Sequence, residues 1–380
     1  MKKKILFIVN LDSFFLSHRI DVALGALKDG YEVHLATVFT DYKNQLKKYG
    51  FKLHPVSMSR AGQGMLENIK SYLSIYALLK NVKPDLVHAI GMKPLILSGI
   101  ACRICKISSV VFSITGLGYV FLSEGFVSQV RRFFVINLLK FCFNQNNFAA
   151  IVQNKDDLAL MVKASNLNIK KTVLIKGSGV SLKKYKVKAN TVQKKIPTIL
   201  FASRLLADKG INEFVAAAKI IKSRIAAKFI VAGAIDYENP SRIKINTIKD
   251  WVKTDLITYL GYKKDIRGTI HQSDIIVLPS YGEGFPKILI EAAACGKAIV
   301  TTDVSGCRDA IIPGITGLLV QKKNTEELVG AIFFLINNKK KYISMCKKAR
   351  KFAEDSFDVT RVVTKHLSIY RKLYNFKNNV

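Results

Sequence analysis

A chain of 380 residues exceeds what one hydrophobic core usually organises, so two domains are the starting expectation. Apolar residues make up 49%, enough for two cores, which excludes a disordered chain. Sixty Lys and Arg against 27 Asp and Glu leave +33, a field that attracts nucleic acid, an anionic bilayer or phosphorylated small molecules without choosing among them.

After Met1 to Lys4, the apolar run Ile5–Val9 has strand length and stops at Asn10. It is too short for a secretory leader, and no later stretch reaches the roughly 18–20 apolar residues of a spanning helix, so a cytoplasmic protein is expected. A loop from Asp12 to Arg19 leads to a helix over His18–Lys28. Strands follow at Glu32–Ala36 and Lys52–Val56, a helix at Leu66–Lys80, and a strand at Leu86–His88. Pro94–Cys105 reads as a helix, Val110–Ile114 as a strand and Val127–Cys142 as a helix. Ala149–Gln153, Lys155–Ala164 and Val173–Ile175 continue the alternation. Helices alternating with strands imply a parallel, doubly wound sheet. Cys102 and Cys105 form a CxxC with no second pair nearby, so packing on a helix face is preferred to a zinc site.

The polar, Lys-rich stretch from Lys183 to Pro197 reads as a linker. Beyond it, strands are expected at Thr198–Ser203, Lys228–Ala232, Ile257–Leu260, Asp274–Pro279 and Ala298–Thr302. Helices are expected at Ile211–Ile221, Lys287–Cys295, Thr325–Asn337 and Lys341–Ala353, with a last amphipathic helix from Thr360 to Phe376. The domains are therefore drawn as 1–182 and 197–358, with 359–380 packing back toward the first. Two such domains are expected to hold ligands in a cleft at the carboxyl ends of their strands.

The chemistry concentrates in Asp274–Asp303, a strand, a Gly-rich turn, a helix and a strand. Gly282 and Gly284 would allow a ligand close to the backbone. Pro286 suits a first helical turn, and the N–H groups there would face an anion. Glu283 lies in the turn and Glu291 inside the helix. An ionised Glu291 among Ile290 and Ala292–Ala294 is costly without a partner, which points to ligand binding. Arg204 and Lys209 follow a strand, where two cations make a phosphate clamp. In the first half, Ser113 to Tyr119 follows a strand; Gly116 and Gly118 suit either a ligand's approach or a tight turn. His88 reads equally as a donor in the cleft or a satisfied core residue, with Met92 and Lys93 just beyond it. Ser17, His18 and Arg19 stand at a helix start, where they could touch phosphate.

Glu283 to Glu291 resembles the E-x7-E signature of retaining GT-B glycosyltransferases of group 1 (family 4), and Arg204 with Lys209 resembles the R-x4-K pair of that class. Ile114–Phe121, ITGLGYVF, is similar to a motif of bacterial O-antigen, capsule and lipid-linked-glycan transferases. His88, Lys93 and Pro94 match an H-x-H-T-x-K-P segment in which Ile90 replaces the second His. The runs SRLLADKGINEF and LPSYGEGFP are similar to hexosaminyltransferases acting on undecaprenyl-diphosphate sugars.

The resemblance implies an α/β protein of two Rossmann-like domains facing a cleft. It transfers a hexose or N-acetylhexosamine, with retention, from a nucleotide sugar, expected to be UDP-linked, to a lipid-linked sugar. Arg204 and Lys209 would neutralise the leaving diphosphate without a metal or cofactor. Glu291 would hold the ribose. Glu283 and the backbone of Gly284, Phe285 and Pro286 would hold sugar and diphosphate, beside Gly282. His18, His88, Lys93, Thr115, Gly116, Gly118 and Tyr119 would face the acceptor. The expected partners are the nucleotide sugar, a polyprenyl-diphosphate sugar and the anionic inner face of the plasma membrane, with no nucleic acid. The basic, aromatic segment Val127–Phe143 fits a membrane interface or a domain helix with a solvated basic face. The competing readings are a nucleotide-sugar 2-epimerase and a nucleic-acid-binding protein; no nucleic-acid-binding motif supports the latter.

Overall fold

The computed structural model describes residues 2–58, 64–117, 121, 125–188 and 195–378. It divides into two compact units: residues 1–178 with 359–380, and residues 179–358.

In the first unit, seven parallel strands are ordered β3-β2-β1-β4-β5-β6-β7: β1 Lys4–Leu11, β2 Glu32–Val38, β3 Lys52–Pro55, β4 Leu86–Ile90, β5 Val110–Ile114, β6 Phe148–Val152 and β7 Thr172–Leu174. β4, β5 and β6 are buried along their whole length, as apolar runs covered on both faces must be. One face carries α4 Met65–Val82, α5 Met92–Ile104, α6 Phe126–Phe143 and α7 Lys155–Ser165. Gly99 lets α5 and α6 approach, since a Cβ there would lie 2.6 Å from Cys142 Sγ. The other face carries α1 Asp12–His18, α2 Ile20–Lys28 and α14 Val359–Asn378; α3 is Lys43–Lys48.

The second unit has the order β10-β9-β8-β11-β12-β13: β8 Thr198–Ala202, β9 Lys228–Ala232, β10 Thr258–Tyr259, β11 Ile275–Leu278, β12 Ala298–Thr302 and β13 Leu318–Val320. Its helices are α8 Ile211–Lys222, α9 Ile245–Lys253, α10 Arg267–Gln272, α11 Lys287–Ala294, α12 Thr325–Asn337 and α13 Lys339–Ser356. Asn324 caps α12 by accepting from Glu327 N–H.

Three expectations need correction. Asp12–His18 is a helix rather than a loop: Asp12 sits in its first turn, and the buried carboxylate accepts from Ser13 N–H at 2.7 Å and Thr40 N–H at 2.7 Å. His18 therefore ends one helix, while Arg19 is both the C-cap of that helix and the N-cap of the next, as expected of a residue at a helix start. The start of the Lys-rich stretch is not a free linker, because Tyr185 is bonded to Glu291 and Arg350 of the second unit, which begins at Gly179 rather than 197; residues 189–194 lie outside the described residues. Chain entry and exit lie side by side there, Val180 N–H donating to Phe357 O at 2.8 Å.

The last helix groups with the first unit. Gly25 of α2 gives it room, since a Cβ would meet Val363 at 2.4 Å. Its Tyr370 is fully buried, with its hydroxyl 2.7 Å from His88 Nδ1. Tyr370→Phe would orphan that nitrogen and should cost about 1–3 kcal/mol of stability. Faster hydrogen exchange in β4 and α14 checks this; unchanged protection would refute it.

Candidate functional site

In the second unit, chain order reverses between β8 and β11, the switch point where ligands of such sheets bind beyond the carboxyl ends of the strands. β8 leads into Ser203–Leu206 and the tight turn Ala207–Lys209; β11 leads into Pro279–Pro286. These loops touch. Gly210 has φ +74°, and a Cβ there would lie 2.0 Å from Pro279 O. Tyr281 N–H donates to Asp208 O at 2.8 Å. The contact carries Lys209 to Glu283: the buried ammonium lies 2.8 Å from Glu283 Oε1, 3.3 Å from Gly282 O and 3.9 Å from Asp208 Oδ2. The loop after β12 closes in as well. Gly306, at φ +74°, leaves its missing Cβ only 2.5 Å from the carbonyl oxygens of Glu283 and Gly284. The glycines with positive φ here are Gly210 and Gly306, whereas Gly282 and Gly284 have ordinary backbone conformations.

Arg204 pairs with Asp236, Nη1 to Oδ2 at 2.8 Å. Glu291 is buried within α11 and has its own partners: Tyr185 donates to Oε1 at 2.7 Å, and Lys287 Nζ lies 3.5 Å from the same oxygen. Burial pushes the Glu291 carboxyl pKa up, against the opposing pull of Lys287. Tyr185 is held in place by Arg350, whose Nη1 donates to Tyr185 O at 2.7 Å and Ala294 O at 2.6 Å. Burial, with Glu291 beside it, also raises the Tyr185 phenol. Pro286 is the N-cap of α11 rather than its first residue, and proline has no N–H to offer an anion. Phe285 turns its ring into the core, 5.6 Å from the ring of Phe357.

The first unit reverses between β1 and β4. Half-buried Lys93 opens α5 beyond β4, and burial lowers its pKa. Gly91 has φ +92°, and its missing Cβ would lie 3.9 Å from Thr115 Oγ1, so Thr115 stands beside the start of α5. Gly116 follows at φ +129°. Gly118 and Tyr119 lie outside the described residues. His18 ends α1, stacked on Phe14 at 4.3 Å with Nδ1 2.6 Å from Ser17 Oγ.

His88 does not face an acceptor. It is fully buried, with Nδ1 on Tyr370 and Nε2 2.7 Å from Ser113 Oγ. Burial, with His366 and Arg19 close by, drives its pKa well below the ordinary value and keeps the ring neutral. Its alternation within a wholly buried strand was the available signal. The sequence reasoning also missed Tyr185 and Asp236. Tyr185 was detectable as a lone aromatic in a Lys-rich stretch, and Asp236 as a carboxylate just past a strand end beside the switch point.

The fold and this site belong to a known class. The family described as "Glycosyl transferases group 1" matches residues 183–352, and "Glycosyl transferase 4-like" matches residues 4–154. The chain is a glycosyltransferase of this group. It is 29% identical over 362 residues, 92% of this chain and 94% of the other, to the N,N'-diacetylbacillosaminyl-diphospho-undecaprenol alpha-1,3-N-acetylgalactosaminyltransferase of Campylobacter jejuni. It is 26% identical, over 80% of each chain, to the UDP-Gal:alpha-D-GlcNAc-diphosphoundecaprenol alpha-1,3-galactosyltransferase of Escherichia coli. Sucrose-phosphate synthase of Thermosynechococcus elongatus shares the GT-B fold, with a TM-score of 0.80 at 20% identity over 98% of this chain and 100% of that one. HepE of Anabaena, solved with UDP and glucose, gives 0.77 at 19% identity over 97% and 99%.

The Glu291 carboxyl carries a stability consequence. Its pKa is raised by folding, so the ionised form is the disfavoured one. The penalty is absent at about pH 3, where both folded and unfolded chains hold the proton, and grows as pH rises through the carboxylate range. Glu291→Gln keeps the acceptor for Tyr185 and removes the charge. It should raise the unfolding midpoint at pH 7 and leave it unchanged at about pH 3. A lower midpoint at pH 7 would show that Lys287 outweighs burial.

Proposed function

We propose that the chain transfers a hexose or N-acetylhexosamine from a UDP-sugar to a sugar carried on a polyprenyl diphosphate, with retention, in bacterial surface-glycan synthesis. The observation that carries this reading is the meeting of Lys209 with Glu283 at the switch point of the second unit, with Arg204 on the same loop as Lys209 and Glu291 buried in the helix that follows Glu283. The names of the Campylobacter and Escherichia relatives support the donor and acceptor classes.

In this reading the diphosphate lies against Arg204 and Lys209, reached also by backbone N–H groups of Gly284, Phe285 and the first turn of α11. Glu291 accepts from ribose hydroxyls and Glu283 from sugar hydroxyls. The acceptor hydroxyl attacks the anomeric carbon as its bond to the phosphate oxygen breaks on the same face, and the departing phosphate takes the hydroxyl proton. Charge grows on the diphosphate as the bond breaks, so cations fixed beforehand stabilise the transition state more than the ground state. They fill the role a metal would otherwise have. On this reading the acceptor lies against Lys93, Thr115 and Gly116, with His18 at the end of α1.

The purified protein should release UDP only when given both a UDP-sugar and an undecaprenyl-diphosphate-linked sugar, with EDTA making no difference. Lys209→Ala should lower kcat/KM by about 100-fold or more. Epimerisation of the donor, or release of no nucleotide from any UDP-, GDP- or dTDP-sugar, would sink the reading.

The same reading extends to peripheral binding at the anionic inner face of the plasma membrane. Among the described residues, no helix is long and apolar enough to cross a bilayer. α6 buries only Ser128, Leu139, Cys142 and Phe143, while Phe126 is 80% exposed, Phe133 65% and Phe134 63%, interleaved with Arg131, Arg132 and Lys140. Such a face suits an anionic interface. Phosphatidylglycerol vesicles should float the protein, phosphatidylcholine vesicles should not, and Phe133→Ser with Phe134→Ser should release most of it. Equal flotation of the double variant would remove α6 from the interface.

A further inference from the structure

The loop after β9, from Gly233 to Lys244, has no part in the mechanism above, yet it is tied to the Arg204–Lys209 segment along its length. Leu205 N–H donates to Ala234 O at 3.0 Å, Ala207 N–H to Ser241 O at 2.8 Å, and Ile243 N–H to Leu205 O at 3.0 Å. Leu206 and Arg242 pair as an antiparallel bridge. Ser241 Oγ reaches Asp208 Oδ1 at 2.8 Å, and a Cβ on Gly233 would lie 1.7 Å from Ser203 O. The loop is thus a strap laid against the clamp, and it delivers Asp236 to Arg204.

The two partners of that pair are unequal. The Asp236 side chain is 11% exposed, whereas that of Arg204 is 46% exposed. Exposed ion pairs usually contribute little, because two long side chains must be held in one geometry. Here the carboxylate is walled in on a bonded loop, so it fixes one edge of the guanidinium while the rest stays open. Arginine is suited to this arrangement because its donors lie in one rigid plane: holding one Nη orients the others.

We infer that Asp236 is a positioning residue for the donor, aiming the open edge of Arg204 at a nucleoside diphosphate. The inference rests on the reading of Arg204 as a diphosphate ligand. The same contact allows an opposite effect: a carboxylate that competes with the diphosphate for Arg204. The two differ in sign. The probe is whichever of UDP, GDP and dTDP the full-length wild type binds tightest, measured by titration calorimetry. Asp236→Asn keeps the size of the side chain and removes its charge. It should weaken binding by about tenfold or more, the scale of one charge-assisted hydrogen bond, and raise the donor KM more than it lowers kcat. Asp236→Glu should recover part of the loss. In an Arg204→Ala background, Asp236→Asn should change nothing further. Tighter binding by Asp236→Asn overturns the inference in favour of competition, equal binding overturns it by showing that Asp236 does not act on the donor, and an equal loss in the Arg204→Ala background overturns it in favour of simple loop support. A wild type that binds none of the three overturns the reading of the site, and this inference with it.

Discussion

Folding takes the Lys209 ammonium out of water, and an ammonium so placed has to be met by oxygen. The oxygens come from Glu283, Gly282 and Asp208, on the loops leaving β8 and β11. Those strands therefore have to end side by side, and the loops have to touch. Gly210 is there because Pro279 O occupies the space of any side chain, and Gly306 because the carbonyls of Glu283 and Gly284 do. Further back, α11 begins just past Pro286 and buries Glu291, whose charge calls in Tyr185 from the chain's entry into the unit; Arg350 ties that segment to the end of α11. One buried cation and one buried carboxylate thus dictate which loops converge and what they carry.

The strands were legible because parallel strands covered on both faces have to be continuous apolar runs, and VVFSI or FAAIV has no other stable use. Arg204, Lys209, Glu283 and Glu291 were legible because each is a charge in a place where charge is costly, at a strand end or amid alanines. What escaped were the properties of partners distant in sequence. Nothing local to His88 reveals that Tyr370, 282 residues away, completes its hydrogen bonding. Nothing local to the Lys-rich stretch reveals that Arg350 and Glu291 wait for Tyr185. Pro286 is a different case: its lack of an N–H is plain in the sequence and keeps it from donating to an anion wherever it stands at the helix start. Asp12–His18 lacks an obvious cap, since Leu11 precedes it and Ser13 N–H is taken by the Asp12 carboxylate, which Thr40 N–H in turn holds in place.

The surplus of 33 positive charges is not explained by the donor site, where carboxylates balance the cations. Its use has to lie on the surface. On α6, cations alternate with exposed phenylalanines, and the amino end of α4 adds Met65, 80% exposed. Charge alone would suit nucleic acid equally well. Large exposed aliphatic and aromatic side chains, unstacked and on a helix, suit the boundary between headgroups and acyl chains better.

The proposed donor site, as folded, satisfies itself. Lys209 is neutralised by Glu283 and Arg204 by Asp236, so an arriving diphosphate meets paired cations rather than bare ones. On the proposed reading, binding at Lys209 would be an exchange that frees Glu283. Glu283, released from Lys209 in its glycine-flanked turn, would need a new donor, and sugar hydroxyls beside the diphosphate supply one. Leaving it unpaired would cost several kcal/mol if it stayed buried. A free nucleoside diphosphate offers no such hydroxyls, so on this reading the exchange would favour an intact nucleotide sugar over the spent nucleotide. Asp236 is fixed on a strapped loop and has less freedom to leave. On the proposed reading the clamp would have one cation whose partner is exchanged and one whose partner stays, dividing the work into recognition of the sugar through the release of Glu283 from Lys209 and orientation of the phosphates through Arg204.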